Sequence, residues 1–143
     1  MNRMFLITGV PGSGKSTKAE FIKNLYKNTH CKTLIEHFEA DMFFMKDGEY
    51  KWNPKQLPNA HEWCKKSVEH AMSIGHDVIV SNTFITAKER KPYFDLAKAY
   101  KYNIQVIECT GTYQNIHGVS EKKVEALRAK YEPVQYEEVN DEK

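Results

Sequence analysis

Arginine is scarce in this chain. Of its 21 basic residues only Arg3, Arg90 and Arg128 are arginines, the rest being lysines, so few side chains could supply the bidentate fork that clamps phosphate. Charge of one sign is lacking as well: the net charge is +2 over 143 residues, too little by itself to argue for nucleic acid or membrane as a partner. The three cysteines, Cys31, Cys64 and Cys109, are widely spaced, odd in number and form no C-x-x-C pair. That pattern argues against a disulfide framework and predicts reduced thiols in a cytosol-like compartment. His61-x-x-Cys64 has the spacing of half a zinc site, but no second ligand pair follows, so core packing is the favoured reading. Long apolar runs are absent too. The N-terminal one, Met4-Phe5-Leu6-Ile7, is cut short by Gly9-Val10-Pro11-Gly12. It is too short for a signal-peptide core or a membrane span and predicts a soluble, cytoplasmic protein with no membrane partner.

What is present centres on Gly9-Val10-Pro11-Gly12-Ser13-Gly14-Lys15-Ser16-Thr17, which fits G-x-x-x-x-G-K-[ST]. A buried strand is predicted before it and an amphipathic helix after it, and the chemistry needs all three parts. The strand delivers the loop, the glycines let backbone N–H groups close around a phosphate, and the helix N-terminus adds its positive end. Gly9, Pro11, Gly12, Ser13, Gly14, Lys15, Ser16 and Thr17 are therefore the candidate nucleotide-binding residues. Lys15 is expected to reach the β- and γ-phosphates of ATP or GTP, and the Ser16 hydroxyl to ligate Mg²⁺.

The length and the 41% apolar fraction fit one globular domain spanning residues 1–143. Strands are predicted over Met4 to Thr8, Thr33 to Phe38, Val78 to Val80 and Ile104 to Cys109. Helices are predicted over Lys15 to Asn28, Asn59 to Ser73, Thr86 to about Tyr100, and Ser120 to Tyr131. The first helix is expected to turn Phe21, Ile22 and Leu25 inward. Asn59-x-x-Glu62 and Thr86-x-x-Glu89 read as capping boxes, with Pro58 just outside the one and Pro92 kinking or delaying the other. Residues 42–58, rich in aromatics and prolines, form an irregular insertion over the substrate or lid. Residues 111–131 form a second lid segment with its helix, and 133–143 a polar tail expected to be frayed or loosely docked. Strand–helix alternation at this spacing predicts an α/β fold of the P-loop NTPase type, with a parallel sheet of about four or five strands flanked by helices. Ligands belong at the carboxyl ends of its strands. Four stretches fall there: the phosphate loop, Asp41, Ser81-Asn82-Thr83, and the 111–118 segment.

The ordered set GVPGSGKST, Glu39-Ala40-Asp41-Met42-Phe43-Phe44, Ala60-His61-Glu62-Trp63-Cys64, Val80-Ser81-Asn82-Thr83, Lys91-Pro92-Tyr93 and Ile116-His117-Gly118-Val119-Ser120 resembles the small P-loop kinases around bacteriophage polynucleotide 5′-kinase. It looks closer still to the kinase-like, AAA-type ATP-binding domains of the NEDD-four-binding-protein relatives. The resemblance implies transfer of the γ-phosphate of ATP to a hydroxyl, with the 5′-OH of single-stranded RNA or DNA as acceptor. It also implies that Asp41, at the end of the second strand, is the general base. Read from the residues alone, Asp41 is a proton acceptor across the crevice from Lys15, or a cap of the turn it opens.

The chain departs from that pattern in three places. Phe44 stands where those kinases carry a phosphate-holding arginine. Ser81-Asn82-Thr83-Phe84 lacks the usual aspartate near the end of the third strand. The lid segment Gly111 to His117 has no arginine. The departures leave two other readings open, a regulatory nucleotide-binding module with weak ATPase activity and a small-molecule kinase. Asn82 and Thr83 are expected to face the acceptor, and Arg90 to lie near it. Phe43, Phe44, Tyr50 and Trp52 offer rings either for stacking bases, at about 1–3 kcal/mol per base, or for packing the insertion. Arg128, in the helix that leaves the lid, is the candidate replacement for the missing lid arginines, and His117 a candidate phosphate or adenine contact.

Overall fold

The computed structural model describes residues 2–29, 33–113 and 118–140. Four parallel strands form the sheet: β1 (Arg3–Thr8), β2 (Ile35–Phe38), β5 (Asp77–Ser81) and β6 (Asn103–Glu108). Their order is β2-β5-β1-β6, with β1 paired to β5 (Phe5 opposite Ile79) and to β6 (Phe5 opposite Gln105). The strands alternate with α1 (Lys15–Asn28), α2 (Leu57–Ser73) and α3 (Ala87–Ala99), followed by α4 (Glu121–Lys130) and a short α5 (Tyr136–Val139). A two-stranded antiparallel hairpin, β3 (Met45–Lys46) and β4 (Glu49–Tyr50), stands apart from the sheet.

Side chains two apart on a strand share a face, and both faces of the central strands are buried. Phe5, Ile7 and Ile79 pack with Ala19 and Ile22 of α1 on one face. Met4, Leu6, Val78 and Val80 pack with Ala60, Cys64 and Val68 of α2 and Phe94 of α3 on the other. Each fully buried aliphatic chain of this kind contributes about 1.5–3 kcal/mol. The sheet direction brings the ends of β1, β2 and β5 to one edge, where the phosphate loop, Asp41 and Ser81 meet.

Several expectations need correction. Phe21 and Leu25 are 59% and 48% exposed. The inner stripe of α1 is Ala19, Ile22 and Tyr26, spaced three and four apart on one face, and Phe21 and Leu25 fall on the other side of Ile22 from Ala19 and Tyr26. Helix α2 starts two residues before Asn59 and takes Pro58 into its first turn, where a proline loses no helical bond. The Asn59 amide therefore donates to Gln56 Oε1 and caps nothing. The Thr86–Glu89 capping box is present, and α3 begins at Ala87 and runs through Pro92.

The tail is docked. Arg90, fully buried, pairs with Glu138 through Nε (2.9 Å) and Nη2 (3.2 Å), and Glu132 N donates to Ile85 O. Arg90 Nη1 also donates to Phe84 O at 2.7 Å. Phe84 sits in the left-handed region at φ 47°, which costs a bulky residue about 1–2 kcal/mol. The guanidinium holds that turn in place.

Candidate nucleotide and phosphotransfer site

The loop after β1 closes on itself before it meets any ligand. Ser13 N donates to Val10 O, Gly9 N donates to Thr83 O, and Lys15 Nζ folds back onto Gly9 O (2.8 Å) and Val10 O (3.1 Å). From the β6 side, Gly111 N donates to Ser13 O and Tyr113 N to Gly12 O (2.7 Å). These bonds turn two loop carbonyls toward the lid segment. A trans peptide points its N–H opposite its C=O, so Gly14 N–H faces away from Gly111.

Two glycines are required outright. A Cβ at Gly9 would lie 2.2 Å from Ser13 Oγ and 2.7 Å from Cys109 O. One at Gly14, at φ 104°, would meet the Tyr113 ring at 3.3 Å.

These residues fit a bound polyphosphate. Among the described residues no side chain caps α1, and its first turn carries no acid. Its leading N–H groups and dipole are left for an anion. Ser13 Oγ is buried without a hydrogen-bond partner among the described residues. Burial lowers the Lys15 pKa, and the nearby Cys109, Glu39 and Asp41 oppose that shift. Two carboxylates thus stand close enough to influence the phosphate lysine.

Those carboxylates share one cavity with it. A space of about 330 Å³ is lined by Lys15, Ser16 and Thr17 on the loop side and by Glu39, Asp41 and Thr83 on the other. Asp41 lies in a 3-10 turn over Ala40–Phe44, positioned from two sides. The Asn82 side chain accepts from Ala40 N at 2.8 Å, and the Tyr50 hydroxyl donates to Asp41 Oδ1 at 3.0 Å. Burial, with Asp41 beside it, pushes the Tyr50 phenol up to about 12, so it remains a donor at neutral pH. Asn82 therefore orients the turn that carries Asp41. It lines the cavity, but its amide is also engaged by Cys64 Sγ.

A second cavity, about 360 Å³, shares His61, Asn82 and Thr83 with the first and continues between α2 and α3 past Glu62, Lys65 and Glu89. Asp41 lines the first of the two cavities and not the second.

Lys15, Ser16, Asp41 and Thr83 are thus brought together, and three other candidates are not. Phe44 is 2% exposed and stacked edge-on against Phe43 and Tyr50, so it packs the insertion and presents no ring to a base. Arg90 is consumed by Glu138 and Phe84 O and lines neither cavity. Arg128 lines a separate cavity of about 120 Å³ with Gly9, Val10, Cys109 and Tyr131. Its Nε is 3.7 Å from Glu125 Oε1, too long for a hydrogen bond. Tyr131, anchored to Thr8 and Glu108, fixes α4 on that side. His117 lies outside the described residues.

Sequence reasoning missed Glu39, Tyr50 as the partner of Asp41, and Tyr113 over Gly14. For Glu39 a signal existed: His37 and Glu39 are two apart on extended backbone and so share a side.

The sequence profile of an AAA domain, AAA_33, matches residues 4–140. Human NEDD4-binding protein 2 is 30% identical over 142 residues, covering 90% of this chain and 8% of that protein. An uncharacterized protein of Pasteurella multocida is 28% identical over 131 residues, covering 87% of this chain and 73% of the relative. This chain therefore spans only a small part of the human relative. Among solved structures, Chaetomium thermophilum Kti12 in complex with ADP-AlF3 superposes at a TM-score of 0.71 with 15% identity, over 92% of this chain and 81% of that one. A chain of the Pnkp1/Rnl/Hen1 complex gives 0.59 and 18%, over 99% and 43%. Mycobacterium tuberculosis APS kinase CysC gives 0.59 and 14%, over 90% and 96%. Such identities speak for the fold, a parallel sheet with a phosphate loop at its switch point, which kinases share. With the profile running from residue 4 to residue 140, the chain belongs to the AAA_33 family of AAA domains and carries its P-loop, kinase-like nucleotide-binding fold.

Proposed function

We propose that this chain transfers the γ-phosphoryl group of ATP to a hydroxyl, with the 5′-hydroxyl of single-stranded RNA or DNA as the acceptor class. The observation that carries the reading is the shared cavity: Asp41, held by Tyr50 and by the Asn82-anchored turn, lines the same space as Lys15 and Ser16. Lys15 leaves the carbonyls of Gly9 and Val10 for the β- and γ-phosphates. The Asp41 carboxylate takes the proton of the acceptor hydroxyl, whose oxygen forms the new bond to the γ-phosphorus. The bond from that phosphorus to the β–γ bridging oxygen breaks, and ADP leaves with the electron pair. Ser16 is the residue that would hold Mg²⁺, which when bound neutralises charge on the phosphate oxygens. The acceptor enters along the groove past His61 and Thr83.

One observation favours a second reading. Among the described residues Lys15 is the sole lysine or arginine lining the phosphate cavity, and a positioned arginine there is worth about 10³–10⁵ in rate. A chain without one would hold ATP, hydrolyse it slowly and act through a protein partner.

Incubation with γ-labelled ATP and Mg²⁺ against 5′-hydroxyl RNA, 5′-hydroxyl DNA and a metabolite extract separates the readings. Label on the oligonucleotide end supports the proposal, and label on a metabolite alone makes the chain a small-molecule kinase. Free labelled phosphate with no labelled acceptor replaces the proposal with the binding module.

A further inference from the structure

A nucleotide-bound Mg²⁺ in a phosphate-loop fold takes the loop hydroxyl on one side and a carboxylate at a strand end on the other. In this chain the end of β5 offers Ser81, which carries no charge, and the neighbouring strand supplies what β5 lacks. Phe38 pairs with Val80 in the β2–β5 register, so Glu39 comes level with Ser81, and the Ser81 hydroxyl donates to Glu39 Oε2 at 3.0 Å. With its proton committed there, Ser81 Oγ accepts from His37 Nε2 at 2.6 Å. This two-step relay fixes the carboxylate from behind. Glu39 lines the same cavity as Ser16, Lys15 and Asp41 and is one of the charges that act on Lys15.

We propose that Glu39 is the metal-site carboxylate of this chain, displaced by one strand from the usual position and oriented by the Ser81–His37 relay. Together with Ser16 it would hold the Mg²⁺ of the nucleotide, directly or through water. Among the described residues no group of three or more His, Cys, Asp or Glu is placed to hold a metal alone. Mg²⁺ on a nucleotide needs none, since one or two carboxylates with substrate phosphates and retained waters suffice. The assignment gives the metal and the proton to different carboxylates, Glu39 and Asp41. It rests on the nucleotide reading above.

The test reads metal affinity and not turnover. ATP is titrated calorimetrically into the protein with Mg²⁺ and with EDTA, and Mn²⁺ bound to the protein–ADP complex is followed by electron paramagnetic resonance. Glu39→Gln keeps the side-chain shape and an acceptor for Ser81. It should lower Mn²⁺ affinity in the complex about 10–100-fold, while ATP binding in EDTA is kept or strengthened because a negative charge beside the phosphates is gone. Adding Ser81→Asp to Glu39→Gln returns a carboxylate to β5 and should restore most of the lost affinity. Glu36→Gln, on the same strand but paired with His76, should match wild type. Wild-type metal affinity in Glu39→Gln, failure of the added aspartate to restore it, or an equal loss in Glu36→Gln would each overturn the assignment. Absence of ATP binding by the wild type under both conditions would overturn the nucleotide reading, and this inference with it.

Discussion

On the β5 side of the phosphate loop the crevice carries two carboxylates, Glu39 and Asp41, each held by hydrogen bonds from other elements. On the β6 side it meets the backbone of Gly111 and the ring of Tyr113, which fix the loop by main-chain bonds and bring no charge. The contrast separates two tasks that kinases usually divide between their flanks. On the proposed reading, proton acceptance and metal holding both fall to the first flank, at the end of β2 and in the turn that follows it. Stabilisation of charge on the transferring group has no side chain of its own beyond Lys15 among the described residues. On this reading the flank with the carboxylates supplies the reacting groups, and the other flank adds no charge to them.

The sharpest way to break the comparison is Asp41→Asn, which keeps size and burial but removes the proton acceptor. Single-turnover transfer should fall by about 10²–10⁴ with nucleotide affinity within a few-fold. Equal losses in both would assign Asp41 to loop organisation. Next is Arg90→Ala, which leaves Glu138 unpaired and Phe84 O without its donor. It should destabilise the fold by about 3 kcal/mol, read as a lower denaturant midpoint. A wild-type midpoint would show that the tail clamp contributes nothing. Lys15→Ala tests the loop itself. ATP with Mg²⁺ at a hundredfold excess over Kd should stabilise the wild type by about 2.7 kcal/mol, and the variant should lose most of that gain. No shift in the wild-type Tm would reject nucleotide binding. The smallest effect is expected from Arg128→Ala. Because the guanidinium lines a cavity separate from that of Lys15 and Asp41, turnover should stay within about twofold, the scale of a change outside the site. A tenfold loss would show that α4 swings over the phosphates during the reaction.

The phosphate loop was legible because its geometry is local: glycines, a lysine and a helix start within a few residues of one another. Helix α1 and its boundaries followed for the same reason. The acceptor side was less legible because long-range contacts decide it. Nothing near Phe44 in sequence says that Tyr50 folds back over it, and nothing near Arg90 says that Glu138 returns to neutralise it. Arg90 was placed at the correct end of the sheet but given a ligand's task, since sequence gives position along an element more readily than burial. Asn82 fell in the right place but serves Ala40 N, a partner that only the β2–β5 pairing brings within reach. Phe21 and Leu25 fit an amphipathic pattern, but the face of α1 that meets the sheet is the neighbouring one, with Ala19 and Tyr26.

The contact between Trp52, just beyond the hairpin, and Lys123 of α4, with the ammonium 5.9 Å from the ring centroid, joins the two flanks across their sequence separation. It also gives the protein an internal optical gauge. The chain has two tryptophans, Trp52 and Trp63, and Trp63 is packed beside Phe43 at 6.3 Å. With Trp63→Phe, the tryptophan emission would come from Trp52 alone. Its indole is half-exposed, and its environment is set by whether the ammonium lies over it. Separation of the hairpin segment from α4 as nucleotide or acceptor enters then registers as a change in intensity and wavelength, without any attached dye.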